Sequence, residues 1–209
     1  MVLAVSYQFT GINSVLAYTN SMFSNLKFNS QFEMTAANAA YLIGIANFLS
    51  SIISVLSAGV FGRKFLLIVG HFAIALCMIL LGFFASNNFT IDIISLLLFY
   101  LFIFQTTLGP IFWIYITEVL VDSAIGFTVS VFFGAMTFIS LVSLPIIESN
   151  YKLQGLFWVF GFVTLIGGLI SIAYVKETQE LSDREKRELY KQKAQLSGSF
   201  PKDIEKIID

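Results

Sequence analysis

The stretch from Phe65 to Ala85, FLLIVGHFAIALCMILLGFFA, contains no Asp, Glu, Lys or Arg. As an α-helix rising about 1.5 Å per residue it would be roughly 30 Å long, which is the thickness of the hydrocarbon layer of a bilayer. The stretch therefore predicts a transmembrane helix. The composition of the whole chain agrees, because 57% of the 209 residues are hydrophobic and only 12% are charged, proportions outside the usual range of soluble domains.

Similar apolar runs lie on both sides of this stretch, separated by polar breaks. Together they predict six transmembrane helices: Val2–Phe23, Ala36–Ala58, Phe65–Ala85, Ile91–Leu120, Ile125–Ile147 and Leu156–Val175. The connections between them are mostly short, as in antiparallel helix bundles. Most of the charged residues follow Val175. The sequence thus predicts two regions, a six-helix transmembrane domain at 1–175 and a charged, partly helical tail at 176–209.

The distribution of lysine and arginine predicts the orientation in the membrane. With six crossings, Arg63, Lys64 and the basic residues of the tail lie on one side, and Lys27 and Lys152 lie on the other. Basic residues near the ends of spans stay in the cytoplasm. Both termini are therefore predicted to be cytoplasmic.

The tail carries acidic and basic residues in balance, so it is not the kind of basic cluster that binds anionic lipid strongly. Glu180 and Arg184, and likewise Asp183 and Arg187, stand at the i, i+4 spacing that supports an exposed helix. The tail is accordingly predicted to be a solvated helical extension.

Composition also excludes several kinds of site. Cys77 is the single cysteine and His71 the single histidine, so neither an intramolecular disulfide nor a conventional zinc site is expected. A net charge of −1 gives no attraction to nucleic acid. No Ser, His and acid set with a hydrolase-like context is present, and we expect no enzyme activity, no metal and no cofactor.

Polar residues interrupt the first predicted helix. On an unbroken helix, Gln8 and Asn13 would point about 140° apart and could not face one small ligand. A break near Gly11 would let the two amides converge, as in the discontinuous helices of many transporters. Amide donors and acceptors match the adjacent hydroxyls of a polyol. The alternative is that these amides bond to neighbouring helices, and both interpretations also apply to Asn47.

The fourth predicted helix contains a second irregularity in QTTLGPIFWIYITE, from Gln105 to Glu118. Gly109 and Pro110 predict a kink or hinge, because proline removes a backbone donor. Trp113 lies one turn beyond and could cover the C–H face of a sugar, or could simply be a packed or interfacial tryptophan. Glu118 is predicted to pair with Arg63.

Four motifs, in this order along the chain, resemble those of one family, the sugar porter branch of the major facilitator superfamily, which includes the glucose and hexose transporters. YQFTGIN followed by Tyr18 is similar to QQxSGIN...YY of that family's seventh helix, and GVFGRK to its D-R-x-G-R-R/K loop between helices eight and nine. LGPIFWIYITE resembles GPxPWxxxxE of the tenth helix, and VKETQELS resembles PETKGxS after the twelfth. The resemblance begins at the seventh family helix and extends to about Glu188.

The resemblance implies a fold and a function. The fold would be an all-α membrane protein with six transmembrane helices, one half of a major facilitator fold built as a 3+3 inverted repeat. The function would be transport of a monosaccharide, a hexose, by alternating access and as facilitated uniport at the plasma membrane. An amino-terminal six-helix half, or a second copy of this chain, would complete the cavity within the lipid bilayer. The alternative is a truncated, non-transporting sensor or regulator that pairs with a full-length transporter.

The resemblance also implies roles for individual residues. Those that would bind the sugar are Gln8, Asn13, Asn47 and Trp113. Those that would gate the path are Tyr18, Gly109 and Pro110. Those that would form a cytoplasmic charge cluster stabilising the outward-open state are Gly62, Arg63, Lys64, Glu118 and Glu177. The sequence departs from the family pattern at Tyr7, Gly59, Phe112, Ile125 and the Met136–Thr137 region, where the family has a glutamine, an acid, a proline, an arginine and an asparagine.

Overall fold

The computed structural model describes residues 1–16, 36–87, 90–148, 153–182 and 185–186. Every regular element within those ranges is helical, so the all-α prediction is confirmed for them. The helices are α1 (Val2–Phe9), α2 (Ala36–Val60), α3 (Arg63–Ser86), α4 (Thr90–Thr106), α5 (Leu108–Val119), α6 (Asp122–Glu148) and α7 (Leu153–Tyr174). Residues 12–16 are also helical.

Five stretches are long and apolar enough to cross a membrane: Ile43–Val60, Arg63–Ser86, Ser95–Val119, Ser123–Ser143 and Gln154–Tyr174. A further apolar stretch, Val2–Leu16, is shorter. The predicted first span runs to Phe23, and residues 17–23 lie outside the described residues. The count of six spans therefore stays a prediction.

The fourth predicted span, Ile91–Leu120, contains two helices, since α4 ends and α5 begins on either side of Thr107, next to the predicted kink at Gly109 and Pro110. Pro110 has no N–H, so it cannot bond the carbonyl of Thr106 four residues earlier. The Ser57 hydroxyl of α2 lies 3.4 Å from that carbonyl and 3.0 Å from the Ser54 carbonyl, so it is shared between the two. The proline thus lies in the first turn of α5, where its missing donor is least costly.

The centre of the molecule is the packing of α3 against α7. Glycines allow the two helices to approach closely, since a Cβ on Gly161 would lie 2.8 Å from Cγ1 of Ile79. His71 of α3 is fully buried there, between the Ser6 hydroxyl at 2.9 Å and the Leu67 carbonyl at 2.7 Å. This histidine is a core residue.

The two helices α2 and α6 lie at the edges. Only 11% of the Ile43–Val60 span and 17% of the Ser123–Ser143 span are buried inside the protein, against 56% of Arg63–Ser86. Large apolar side chains are exposed on both edge helices, for example Phe48 and Phe138. Each edge helix thus offers most of its surface to lipid or to another helical partner.

One end of the molecule brings together three parts of the chain: the turn after α2, the turn after α5 and the segment after α7. We call it the charged end, because Arg63, Glu118 and Glu177 are in contact there. The antiparallel arrangement expected from the short connections is what brings them together.

Candidate functional site

The first helix is interrupted at Gly11, as its sequence predicts. Gly11 has a φ of +80°, which glycine adopts without the steric cost of a side chain. The N–H groups of Thr10 and Gly11 bond the carbonyls three residues earlier, and the Gly11 carbonyl accepts the Val15 N–H at 2.8 Å to restart the helix. A Cβ on Gly11 would lie only 2.5 Å from Cδ2 of Phe160 on α7. Both the backbone and the packing therefore require glycine.

The break brings two amide side chains together, and we call Gln8 and Asn13 the amide pair. Nδ2 of Asn13 donates to Oε1 of Gln8 at 2.6 Å, and Nε2 of Gln8 donates to the Phe132 carbonyl of α6 at 3.3 Å. Gln8 is 1% exposed and Asn13 is partly buried. Within the described residues these bonds use only part of the capacity of either amide. The geometry thus combines an interhelical contact with unused donors and acceptors.

The depth of the amide pair follows from its bond to Phe132. From Asp122 at the start of α6 to Phe132 the helix rises about 15 Å. That rise is about half of a hydrocarbon layer roughly 30 Å thick. The amide pair therefore lies near the middle of the span.

Aromatic rings surround this position. The aromatic cluster consists of Tyr7, Phe104, Phe112, Trp113 and Phe132. The ring centroids of Trp113 and Phe132 are 5.0 Å apart, and those of Trp113 and Phe112 are 5.2 Å apart. Trp113 is 38% exposed, whereas its neighbour Phe112 is buried. Trp113 is thus the open edge of the cluster, next to the residue whose carbonyl holds Gln8.

Asn47 is separated from these groups. It lies partly buried on the edge helix α2, where its backbone carbonyl accepts the Ser51 hydroxyl at 2.8 Å. The same hydroxyl accepts a hydrogen bond from Nε2 of Gln105 on α4 at 3.4 Å. Among the residues described, no hydrogen bond joins the Asn47 side chain to the amide pair or to Trp113. The structure therefore unites three of the four predicted sugar contacts.

The predicted gating residues fall in two places. Gly109 and Pro110 lie in the first turn of α5, directly after the interruption at Thr107. A Cβ on Gly109 would lie 3.1 Å from Oε1 of Gln105, so the glycine leaves room for that amide. Tyr18 lies outside the described residues.

At the charged end, Glu177 caps the start of α3. Its two carboxylate oxygens accept the backbone N–H groups of Arg63 at 2.8 Å and Lys64 at 3.1 Å. A carboxylate at a helix N-terminus pairs with unsatisfied donors and with the positive end of the helix dipole. A Cβ on Gly62 would overlap the Glu177 carboxylate, so any side chain there displaces the cap.

Glu118 is the second centre of the charged end. Its Oε1 accepts Nη2 of Arg63 at 3.2 Å and Nζ of Lys186 at 3.3 Å, and its Oε2 accepts the Thr178 hydroxyl at 2.6 Å. Sequence reasoning found Arg63 but missed Thr178 and Lys186. One signal in the sequence could have pointed to Lys186. Ile125 stands where the family pattern has an arginine, so Glu118 lacks that cation and can pair with another.

The tail begins with a capping box that fixes Lys186. The backbone N–H and the hydroxyl of Ser182 donate to Oε2 of Glu185 at 2.8 and 2.6 Å, and the Glu185 N–H returns a bond to the Ser182 hydroxyl at 3.4 Å. Bonds from the Ser182 hydroxyl and then its backbone N–H lower the pKa of the Glu185 carboxyl.

The described start of the tail, 176–182, is not helical, and Glu180 has a φ of +64°, in the left-handed region. The Lys186 N–H bonds the Ser182 carbonyl at 3.0 Å, which places the helical turn after Ser182. Asp183, Arg184 and Arg187 lie outside the described residues.

Comparison with known proteins agrees with this architecture. The family model "Sugar (and other) transporter" matches residues 1–190. The facilitated trehalose transporter Tret1 of Anopheles gambiae is 30% identical over 86% of this chain and 24% of its own length. The glucose facilitated diffusion protein of Zymomonas mobilis is 28% identical over 90% of this chain and 41% of its own length.

A solved structure has the same fold. The proton:xylose symporter XylE of E. coli superposes with a TM-score of 0.78 and 24% identity over 88% of this chain and 40% of that chain. The present chain thus spans less than half the length of these relatives, which are transporters rather than enzymes. Together with the apolar helices, the matches make it an integral membrane protein. The chain belongs to the "Sugar (and other) transporter" family.

Proposed function

We propose that the chain is the carboxyl-terminal six-helix half of a sugar transporter, and that it moves a monosaccharide, a hexose, by alternating access as a facilitated uniport. The amide pair at a mid-span helix break, beside the partly exposed Trp113, carries this proposal. Similar proteins are described as transporters of trehalose, glucose and xylose, which supports a sugar as the substrate class.

The chemistry of the site suits a ring with adjacent hydroxyls. Asn13, the less buried amide, meets the sugar first, and Gln8 holds it in orientation through their 2.6 Å bond. Because the amides already bond each other, they lose little side-chain freedom when the sugar binds. Trp113 covers the C–H face of the ring. We assign a further hydroxyl contact to Asn47 of α2.

A second half is part of the proposal. The low burial of α2 and α6 supports docking of an amino-terminal six-helix half, or of a second copy, along these edges. In the major facilitator architecture the substrate lies between two such halves, each a 3+3 inverted repeat. The remaining apolar surface faces the lipid bilayer.

The charged end supports a cytoplasmic role. We assign it and both termini, including the 176–209 tail, to the cytoplasm at the plasma membrane, following the placement of Arg63 and Lys64. There the bonds to Glu118 and Glu177 hold α3, α5 and the tail together in the outward-open state. Pro110 and Gly109 let α5 tilt, and Tyr18 closes the outer side.

Facilitated movement fits better than proton coupling. In the described part of the chain, the acidic residues of the helices lie in the first or last turns. They are therefore distant from the amide pair, which lies near the middle of the span. A buried carboxylate near the substrate is the usual proton carrier. Uptake by the assembled protein should therefore not require a pH gradient.

The test is uptake of labelled D-glucose, D-xylose and trehalose into vesicles that contain the full chain, alone and with a co-expressed amino-terminal half, with L-glucose as the leak control. The double variant Gln8→Ala and Asn13→Ala should lower specific uptake at least tenfold. Asn87→Ala, which removes an exposed amide at the end of α3, should not. Unchanged uptake in the double variant removes the assigned site. Absence of all uptake, together with co-purification of a full-length relative, would favour the regulator function.

A further inference from the structure

The break at Gly11 creates a hydrogen-bonding requirement that two other helices meet. At the end of a helix the last carbonyls lose their intrahelical partners. The Thr10 carbonyl accepts the Tyr100 hydroxyl of α4 at 3.0 Å, and the Phe9 carbonyl accepts the Thr164 hydroxyl of α7 at 3.3 Å. Tyr100 and Thr164 are both 0% exposed, so water does not compete for these carbonyls.

At positions 100 and 164 the hydroxyl group is the part of the side chain that packing alone does not require. The Tyr100 ring packs near Phe104 at a centroid distance of 6.4 Å, which a phenylalanine ring would do equally well. Thr164 lies inside the apolar helix α7, where a valine has the same shape without the hydroxyl. In each case the polar atom is used for a carbonyl at the break of α1.

The two bonds lie between the members of the amide pair. Gln8 precedes the carbonyls of Phe9 and Thr10, and Asn13 follows them, so the angle of the backbone at these two carbonyls sets the separation of the amides. That separation is 2.6 Å between Nδ2 of Asn13 and Oε1 of Gln8. The geometry points to Tyr100 and Thr164 as positioning residues that fix the helix break and thereby align the amide pair for its ligand. This inference rests on the proposed sugar site.

Binding can be measured with Trp113 as the reporter. The chain has two tryptophans, and Trp158→Phe leaves Trp113 alone. In that background, D-glucose, D-xylose and trehalose are titrated against the full chain, with L-glucose as the control sugar. Tyr100→Phe and Thr164→Val should each weaken binding of the sugar that the parent binds by about tenfold.

Matched variants distinguish the effect of losing the hydroxyl from a general effect of substitution on the fold. Thr164→Ser keeps the donor and should restore binding. The controls Tyr41→Phe and Thr137→Val remove an exposed hydroxyl from α2 and one from α6, the latter bonded within its own helix. Both should bind as the parent does. Equal weakening in the controls would overturn the inference, as would parent-like binding in both Tyr100→Phe and Thr164→Val.

A second measurement needs no sugar. Hydrogen exchange at the amides of residues 11–15 should become at least several-fold faster in Tyr100→Phe and Thr164→Val and stay unchanged in Thr164→Ser and the two controls. Unchanged exchange overturns the inference whatever the binding data are. Faster exchange, combined with no sugar response in the parent protein, overturns the proposed function and leaves the two hydroxyls assigned to the break.

Discussion

The two interrupted helices of this protein are held in different ways. At Gly11 the break combines a positive φ, a ring packed on the glycine, and two fully buried hydroxyl donors from α4 and α7. At Thr107 the carbonyl of Thr106, which Pro110 cannot bond, has one hydroxyl at 3.4 Å, that of Ser57 on an edge helix. The first break is built to stay fixed and to position side chains. The second lies at the start of α5, whose side chains pack in the core and whose far end is bonded to Arg63 and Lys186 through Glu118.

The largest expected effect comes from Gly11→Ala. A side chain at positive φ costs about 1–2 kcal/mol, and the overlap with Phe160 adds about 1–3 kcal/mol, so we expect destabilisation of about 2–5 kcal/mol. Thermal unfolding of the purified protein in detergent measures it. Gly109→Ala, at ordinary φ, should cost much less. In a Phe160→Ala background, the cost of Gly11→Ala should fall to the backbone part alone. Equal stability of the two glycine variants would contradict the comparison.

The next effect concerns the attachment of α5. Glu118→Gln weakens bonds to Arg63 and Lys186 in a site where the three side chains are mostly buried, which should cost about 1–3 kcal/mol. Lys186→Ala removes one partner and should cost under about 1 kcal/mol. Lys64 contributes its backbone N–H to the Glu177 cap, so Lys64→Ala should cost less still. Denaturant unfolding orders the three variants, and a larger loss in Lys64→Ala than in Glu118→Gln would refute the assignment.

A rate effect with little change in stability is expected for Pro110→Ala. The new N–H can bond the Thr106 carbonyl and join α4 to α5, so stability should stay within about 1 kcal/mol. The maximal transport rate should fall several-fold, while sugar affinity is retained. Pro145→Ala, inside α6, is the matched proline control. A loss of affinity without loss of rate would place the hinge elsewhere.

The smallest effect is the pH response of the tail. Because the pKa of Glu185 is lowered in the folded tail, its bonds to Ser182 contribute above the ordinary carboxyl pKa of 4.5 and are lost as the pH falls through the lowered value. Hydrogen exchange around residues 182–186 should therefore accelerate on acidification, while exchange at residues 11–15 does not change. Ser182→Ala removes the hydroxyl but keeps the backbone N–H, so it should reduce the response, and an undiminished response would exclude the hydroxyl of the capping box as a cause.

Local chemistry made the first break predictable from sequence. Gln8 and Asn13 on one apolar helix suit a shared ligand only if the backbone between them is broken, and Gly11 is the residue that allows this. The Gly109–Pro110 pair likewise predicted a kink, although not that the helix would stop at Thr107. In both cases the signal lay within a few residues.

Long-range contacts were not predictable in the same way. The sequence of an apolar helix does not indicate which carbonyl a hydroxyl such as that of Tyr100 or Thr164 will bond. Asn47 looked equivalent to the other amides, and only the position of α2 at the edge separates it from them. The contact of Lys186 with Glu118 could not be predicted, because the tail returns toward Glu118 after the left-handed turn at Glu180. Each of these depends on how whole helices are placed.

The cap that Glu177 provides for α3 also constrains how the protein is made. The ribosome synthesises Arg63 114 residues before its acceptor, so the first donors of α3 are complete only after α7 has been inserted. A nascent chain halted before Glu177 would carry every described span and still lack this closure. The bond therefore makes completion of the last described span a condition for closure of the charged end.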